Sequence, residues 1–378
     1  MDYNKYLLRD LCFIITKGTT PSTIGFSFTN EGINFIKSEQ LTNQRNIDYQ
    51  KINYISEDAH ARLSRSILQE NDILISIAGA YLGKLALVNK RDLPANTNQA
   101  VGIIRANEHK ININYLFYYM LSSRIKKIIS NYNAQSAQPN INLNQLGNIE
   151  IFVPNLNQQQ HIVNIIGSID DLIESNNKLV LKLLSILNNK LEYLITKSTE
   201  FIPLKSIISE RKERIGLNDV KLLSVVNTGE LVLQDEYFDK NTASADMKKY
   251  KLIRKFDYAY NPARINIGSI GMLKENYLGA ISPIYVVFEI DENYKYYLDF
   301  YKSSKYMRKY IEKKSSGSVR QNLPFDEFAS IEIPNINTEF LKEFNSLCDL
   351  YYKKINDLKT KTIKLQAIKD QYLKKFFG

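Results

Sequence analysis

The side chains able to do covalent chemistry are scattered through this 378-residue chain without the spacing such chemistry needs. His60, His109 and His161 are too dispersed to form a metal-ligand set, and Cys12 and Cys348 stand alone at opposite ends of the sequence. Two isolated cysteines read as reduced thiols of a cytoplasmic protein. The carboxylates form no Pro-Asp…Glu-x-Lys grouping of the nuclease kind, and no Gly-x-x-x-x-Gly-Lys-Ser/Thr loop is present. Tyr260-Asn261-Pro262-Ala263 approaches the Asn-Pro-Pro-aromatic motif of amino-methyltransferases. It lacks the second proline and the stacking aromatic, and no cofactor-binding glycine motif accompanies it. The expectation is a chain without catalytic residues, metal or cofactor of its own.

What remains is chemistry for binding. Asn, Gln, Lys and Arg are the side chains that reach base edges and phosphates. They gather in segments that read as loops: Lys37–Gln40, Asn43–Arg45, Ala134–Asn140, Asn261–Arg264 and Ser315–Asn322. Gly79–Gly83 and Gly268–Gly271 read as hairpin turns, of a kind that can also lie against a phosphate backbone. The candidate contacts are Lys37, Gln40, Gln44, Arg45, Lys84, Gln138, Asn140, Arg264, Arg320, Gln321 and Asn322. The net charge of +10 and pI near 9.2 suit an anionic partner. The Gln/Asn loops weigh most because they recur at one place in two copies of a common plan, as structural anchors or as nucleic-acid contacts.

That plan is an internal repeat. Asn148-Ile149-Glu150-Ile151 returns as Ser330-Ile331-Glu332-Ile333, and Ser136–Ile141 returns as Ser318–Leu323, both 182 residues later. Asn71–Leu74 pairs with Phe256–Ala259, and Leu82–Leu85 with Ile267–Ile270, both at a separation of 185. Each copy begins with short apolar or alternating runs bounded by Gly, Asn and Pro, which read as strands: 32–36, 72–77, 84–88 and 100–105, then 222–226, 258–261, 269–273 and 284–289. A helix follows (114–130 and 295–313), then a polar loop and a last strand (148–153 and 330–333).

Long proline-free helices come next. In the first, Ile162, Ile165, Ile169, Leu172, Leu179, Leu183 and Ile186 form a stripe broken by Asn176. In the second, Leu341, Phe344, Cys348, Tyr351, Ile355, Leu358, Leu365 and Tyr372 form one broken by Thr362. This is a heptad seam. A helix of about 40 residues would be about 60 Å long, so much of its stripe must find another helix, and the natural partner is its repeat, antiparallel. The fold class is α+β: two similar α/β domains (1–155 and 199–336) separated by two long antiparallel coiled-coil helices (156–198 and 337–378) in a pseudo-twofold repeat. The four segments carry net charges of +4, +2, 0 and +4 in the order 1–155, 199–336, 156–198 and 337–378. The heads are only mildly basic, so nucleic-acid binding would need their charge unevenly placed. No apolar run approaches the ~20 residues of a membrane span, and the N-terminus lacks a signal-peptide core, so a soluble protein is expected.

The ordered motifs resemble the specificity subunits of Type I restriction–modification systems over essentially the whole chain. The echoes are Leu8-Arg9-Asp10-Leu11 followed by Lys17-Gly18-Thr19-Thr20-Pro21, then Asn71–Ser76, Ser136–Asn140 and Ile149–Pro154 leading into Gln158-Gln159-Gln160-His161. The second copy has Asp257, Asn261–Arg264, Gly268–Gly271, Gly317–Asn322 and Ile331–Pro334. The junction after the second copy departs, reading Asn337-Thr338-Glu339-Phe340. The resemblance implies that each domain is a target-recognition domain reading one half of a bipartite double-stranded DNA site, with the helices setting the gap. It implies docking of two modification subunits, which would carry S-adenosylmethionine, and of restriction subunits using ATP and Mg. For docking or the coiled coil it points to Ile165, Ile169, Leu172, Leu179, Leu183, Ile186, Phe344, Tyr351, Ile355, Leu358 and Leu365. The alternatives are the specificity subunit of a related methylation-based phage-defence system and a coiled-coil protein-binding scaffold.

Overall fold

The computed structural model describes residues 3–50, 52–133, 139–216, 219–237, 247–315 and 322–378. They form two compact units, Met1–Lys178 with Leu358–Gly378 and Leu179–Asp357.

The head of the first unit runs β1 (Asn4–Leu7), β2 (Cys12–Lys17), β3 (Ile33–Ile36), β4 (Asn53–Ile55), α1 (Glu57–Arg62), β5 (Ile73–Ser76), β6 (Leu85–Leu87), β7 (Ala95–Thr97), β8 (Val101–Ala106), α2 (Ile113–Met120), α3 (Ser123–Asn133), α4 (Leu143–Gly147) and β9 (Glu150–Val153). An antiparallel sheet β2-β8-β5-β6 and a sheet β4-β3-β7, whose β3 and β7 are parallel, make two layers, and β1 pairs with β9. Strand β5 explains the continuous apolar run at 73–75. Ile73 and Ile75 face a core shared with α2 and α3, while Leu74 faces a second core with Ile36, Ala95 and Ile103. A strand buried on both faces has no polar alternation to show.

After α5 (Leu156–Thr196), the second head repeats this layout. It runs β10 (Phe201–Pro203), β11 (Ile208–Glu210), β12 (Lys221–Val225), β13 (Leu231–Leu233), α6 (Gln234–Tyr237), β14 (Lys251–Ile253), β15 (Tyr258–Tyr260), β16 (Ile270–Met272), β17 (Gly279–Ile281), β18 (Val286–Ile290), α7 (Tyr297–Tyr301), α8 (Lys305–Ser315), α9 (Phe325–Ala329) and β19 (Glu332–Pro334), ending in α10 (Thr338–Phe377). Its sheets are β11-β18-β15-β16, β13-β12-β17-β14 and β10-β19, with β12 and β17 parallel. Tyr258 and Tyr260 face one core and Ala259 the other, as in β5.

The repeat extends to single hydrogen bonds. Leu8 N–H donates to Ile149 O and Leu204 N–H to Ile331 O, both at 2.8 Å. The Tyr115 hydroxyl donates to Phe152 O at 2.7 Å, and its counterpart 182 residues on, Tyr297, donates to Pro334 O at 3.3 Å. Each ties a helix to the last strand of its head. Tyr115→Phe leaves a carbonyl without its donor and is expected to cost about 1 kcal/mol of stability, and Tyr297→Phe less because its bond is longer. Urea unfolding of the two variants tests this ranking, and a larger loss for Tyr297→Phe would contradict it.

The single helices expected at 114–130 and 295–313 are each interrupted. Ser122 and Ser304, equivalent in the repeat, accept the amides of Ile125 and Met307 at 3.4 and 3.1 Å and start a new helix. The hydroxyl satisfies an amide that the first turn leaves without a partner.

In the first unit, α5 and α10 pair antiparallel: Lys369 Nζ lies 2.7 Å from Asp170 Oδ1, and Asn176 Nδ2 lies 3.3 Å from Thr362 Oγ1. The buried row on α5 differs from the expected stripe. Ile162, Ile166, Ile169 and Ile173, then Leu187, Leu191 and Leu194, are buried, whereas Leu172, Leu179 and Ile186 are exposed at 54, 38 and 38 %. Ile165 and Leu183 are half-buried. The correction has a simple cause. Residues 165/166, 172/173, 179/180 and 186/187 are apolar doublets, and either member satisfies a 3-4 spacing from Ile162 and Ile169. Packing buries Ile166, Ile173 and Leu187 and half-buries Val180, while the first member is exposed at 172, 179 and 186 and half-buried at 165. On α10, Phe344, Ile355 and Leu358 are buried, and Tyr351 and Leu365 half-buried, within their own units.

Candidate nucleic-acid interface

In both heads the polar loop before the last helix and strand is stitched to the loop after the central strand. Ile141 N–H donates to Ile77 O at 2.9 Å and Gly79 N–H to Pro139 O at 3.1 Å. In the second head Leu323 N–H donates to the equivalent Pro262 O at 3.1 Å. These bonds hold Asn140 beside the 78–84 turn and Asn322 beside the 261–268 turn. Gly83 and Gly268, also equivalent, adopt φ of 81° and 96°. A side chain would be strained there, so glycine sets both turns. The strands carrying these turns start from a matching anchor. Asp72 Oδ2 accepts the amide of Gln69 at 2.8 Å, and Asp257 Oδ2 that of Arg254 at 2.7 Å. Arg105 of β8 binds Asp72 in a bidentate pair at 2.8 Å, and Arg211, the residue after β11, has its Nε 2.9 Å from Asp257. Burial still raises the Asp257 carboxyl above its usual range.

The polar candidates separate into exposed or half-buried ones and ones turned to internal contacts. Arg264, Asn140 and Asn322 are exposed on the stitched loops, and Lys84 lies in the first of them with its ammonium 4.8 Å from the Tyr81 ring centre. Lys37 is half-buried, 4.6 Å over Phe28, and Gln44 is half-buried in the 42–46 loop. Two expectations are corrected. Gln40 is 1 % exposed, and its carbonyl oxygen accepts the Lys37 amide at 2.8 Å, so it closes a turn and reaches no ligand. Arg45 is held by the helix: it hydrogen-bonds Asp171 and its Nε lies 3.6 Å from Asp170. Gln138, Arg320 and Gln321 lie outside the described residues. Gly18 explains its place in the Lys17-Gly18-Thr19 motif, because a Cβ there would meet Thr97 O at 1.9 Å.

What sequence reasoning missed is a basic helix beside each loop. The 79–84 turn packs on α3, where a Cβ on Gly83 would sit 3.6 Å from Ile129. In the second head an open cavity of about 400 Å³ is lined by Thr228 and Gly229, by Ile267 and Gly268, and by Arg308 and Ile311 of α8. The signal was present: both segments are rich in Lys and Arg and nearly free of acids. Among the described residues no cluster of His, Cys, Asp or Glu could hold a metal, and no helix is long and apolar enough to cross a membrane.

Two heads of one topology, each followed by a helix of 40 or 41 residues, define a duplicated protein with its polar loops at repeat-equivalent positions. Residues 1–185 match the family described as Type I restriction modification DNA specificity domain. The chain is 28 % identical over 154 residues to the Type I restriction enzyme MjaVIII specificity subunit of Methanocaldococcus jannaschii, covering 40 % of this chain and 36 % of that one. It is 27 % identical over 169 residues to the EcoBI specificity subunit of Escherichia coli, covering 44 % and 35 %. The match thus spans little more than a third of these relatives. A solved S subunit from M. genitalium shares the fold with a TM-score of 0.55 at 16 % identity, over 100 % of this chain and 96 % of that one. Just under half of the chain is thus similar to that family's model, and over its whole length the chain shares the fold of the M. genitalium S subunit.

Proposed function

We propose that this chain is a non-catalytic, sequence-specific DNA-binding subunit whose two heads each read one half of a bipartite site for adenine methylation and restriction by partner subunits. The observation that carries this reading is the recurrence of one stitched loop cluster, with Asn140 in one head and Asn322 in the other, on matching strands. Asn pairs bidentately with adenine, and Arg264 and Lys84 supply cations for guanine or phosphate. S-adenosylmethionine, ATP and Mg belong to the partners. Two modification subunits dock on the long helices, with restriction subunits joining them. The outer members of the α5 doublets, Leu172, Leu179 and Ile186, give that helix an apolar face spaced by seven residues.

Sequencing of methylated adenines in a host expressing the chain with its neighbouring modification subunit tests the reading. A new two-part motif that requires this chain is expected, and no new motif despite a purified complex would sink it. The two long helices are expected to set the gap between the half-sites. Adding one turn to both, about 5.4 Å, should change the gap and leave the half-site sequences intact, whereas an unchanged gap refutes that role.

A further inference from the structure

Among the described residues, α3 (Ser123–Asn133) contains Arg124, Lys126 and Lys127 and no acidic residue, and α8 (Lys305–Ser315) contains five cations and only Glu312. The two helices are equivalent in the repeat, and the correspondence is residue by residue. Ile125 and Ile129 match Met307 and Ile311, which are buried, while Lys126 and Lys127 match Arg308 and Lys309, which are exposed. No described residue forms an ion pair or side-chain hydrogen bond with any of these four cations. The first head has a net charge of +4, of which α3 supplies +3, and the second has +2, against +4 on α8 alone. The mild basicity of each head is therefore concentrated on one helix, which packs against the loop already assigned to DNA.

We infer that Lys126 and Lys127 in one head, and Arg308 and Lys309 in the other, dock the heads on the phosphate backbone of duplex DNA, at either half-site and without regard to sequence. The inference rests on the DNA-reading function proposed above and adds the backbone contacts to it. Two cations at matching positions in both copies fit one polyanion met twice, since a duplex presents the same phosphate geometry to each head. An isolated solubilising lysine has no reason to recur in register beside the same turn.

The test uses the full-length chain and a fluorescent 40-base-pair duplex of mixed sequence, with affinity measured by anisotropy from about 50 to 200 mM salt. Each lost phosphate contact makes the slope of log K against log salt shallower by about 0.9. K126Q/K127Q and R308Q/K309Q are each expected to flatten it by about 1.8, and the fourfold variant by about 3.6. K353Q/K354Q, exposed on α10, serves as the control and should leave it unchanged. A wild-type chain that binds with a steep slope while both double variants match it, or a control that flattens it equally, overturns this inference alone. A wild-type chain that retains no duplex at any salt overturns the DNA-reading function itself.

Discussion

Asp170→Ala should destabilise the first unit by about 3–5 kcal/mol, while the double substitution Asp170→Leu with Lys369→Met should cost far less or nothing. Lys369 is 1 % exposed and Asp170 6 %, and their 2.7 Å contact joins α10 to α5. The second carboxylate oxygen accepts the Tyr118 hydroxyl at 2.9 Å, and Arg45 lies beside it. Burial, with Asp170 adding to it, pushes the Tyr118 phenol well up, so it stays a donor. Removing the carboxylate strands an ammonium in the seam. Removing both charges leaves an apolar contact of the kind found elsewhere along the helices. The repeat itself makes the argument, because the position equivalent to Lys369 is the buried Leu187. Urea unfolding followed by circular dichroism and tyrosine emission, the chain having no tryptophan, gives both values. A double variant as unstable as the single one would show that the pair is worth more than its desolvation.

The same contact shows what the sequence could and could not disclose. Duplication was legible because Ile149–Ile151 and Ile331–Ile333 keep type and spacing, and with them the central strands and both long helices. The strands β7, β14 and β17 were not, being three-residue runs such as Ala95-Asn96-Thr97 whose pairing partners set their conformation. The seam was ambiguous at its apolar doublets. Gln40 and Arg45 looked like ligand contacts because a polar loop reads the same whether its side chains serve solvent, a turn or an adjacent helix. The head-to-helix hydrogen bond was hidden for a different reason: the two units exchange its partners. In the first, the head gives Tyr118 and the helix Asp170. In the second, the helix gives Tyr352, at the position equivalent to Asp170, and the head gives Asp299, at 2.8 Å. No comparison of residue types across the repeat could reveal a bond whose ends have changed sides.

Asp299 supports the second large effect, which depends on pH. Its Oδ1 lies 2.7 Å from Lys302 Nζ and its Oδ2 lies 2.8 Å from Lys274 Nζ, with the Tyr352 hydroxyl on the same oxygen. Burial alone would raise this carboxyl, but the two ammonium groups outweigh it and hold it well below the usual carboxylate range. A carboxyl depressed in the folded state contributes stability that is fully present above its unfolded value, near 3.9, and is lost as pH falls from there through the folded value. Asp299→Ala is therefore expected to cost the second unit about 3–5 kcal/mol at pH 7, because it leaves two partly buried cations without their anion. Lys302 keeps Gly229 O at 2.8 Å, and Lys274 keeps the Tyr352 ring at 4.7 Å, which places the loss at the lower end. The gap between wild type and variant should stay level from pH 7 to about 5 and narrow below about 4, as the wild type takes up the proton the variant cannot. Urea unfolding at a series of pH values reads this directly. A gap that holds constant down to pH 3 would place the stabilisation in packing rather than charge, and one that widens on acidification would reverse the sign of the linkage.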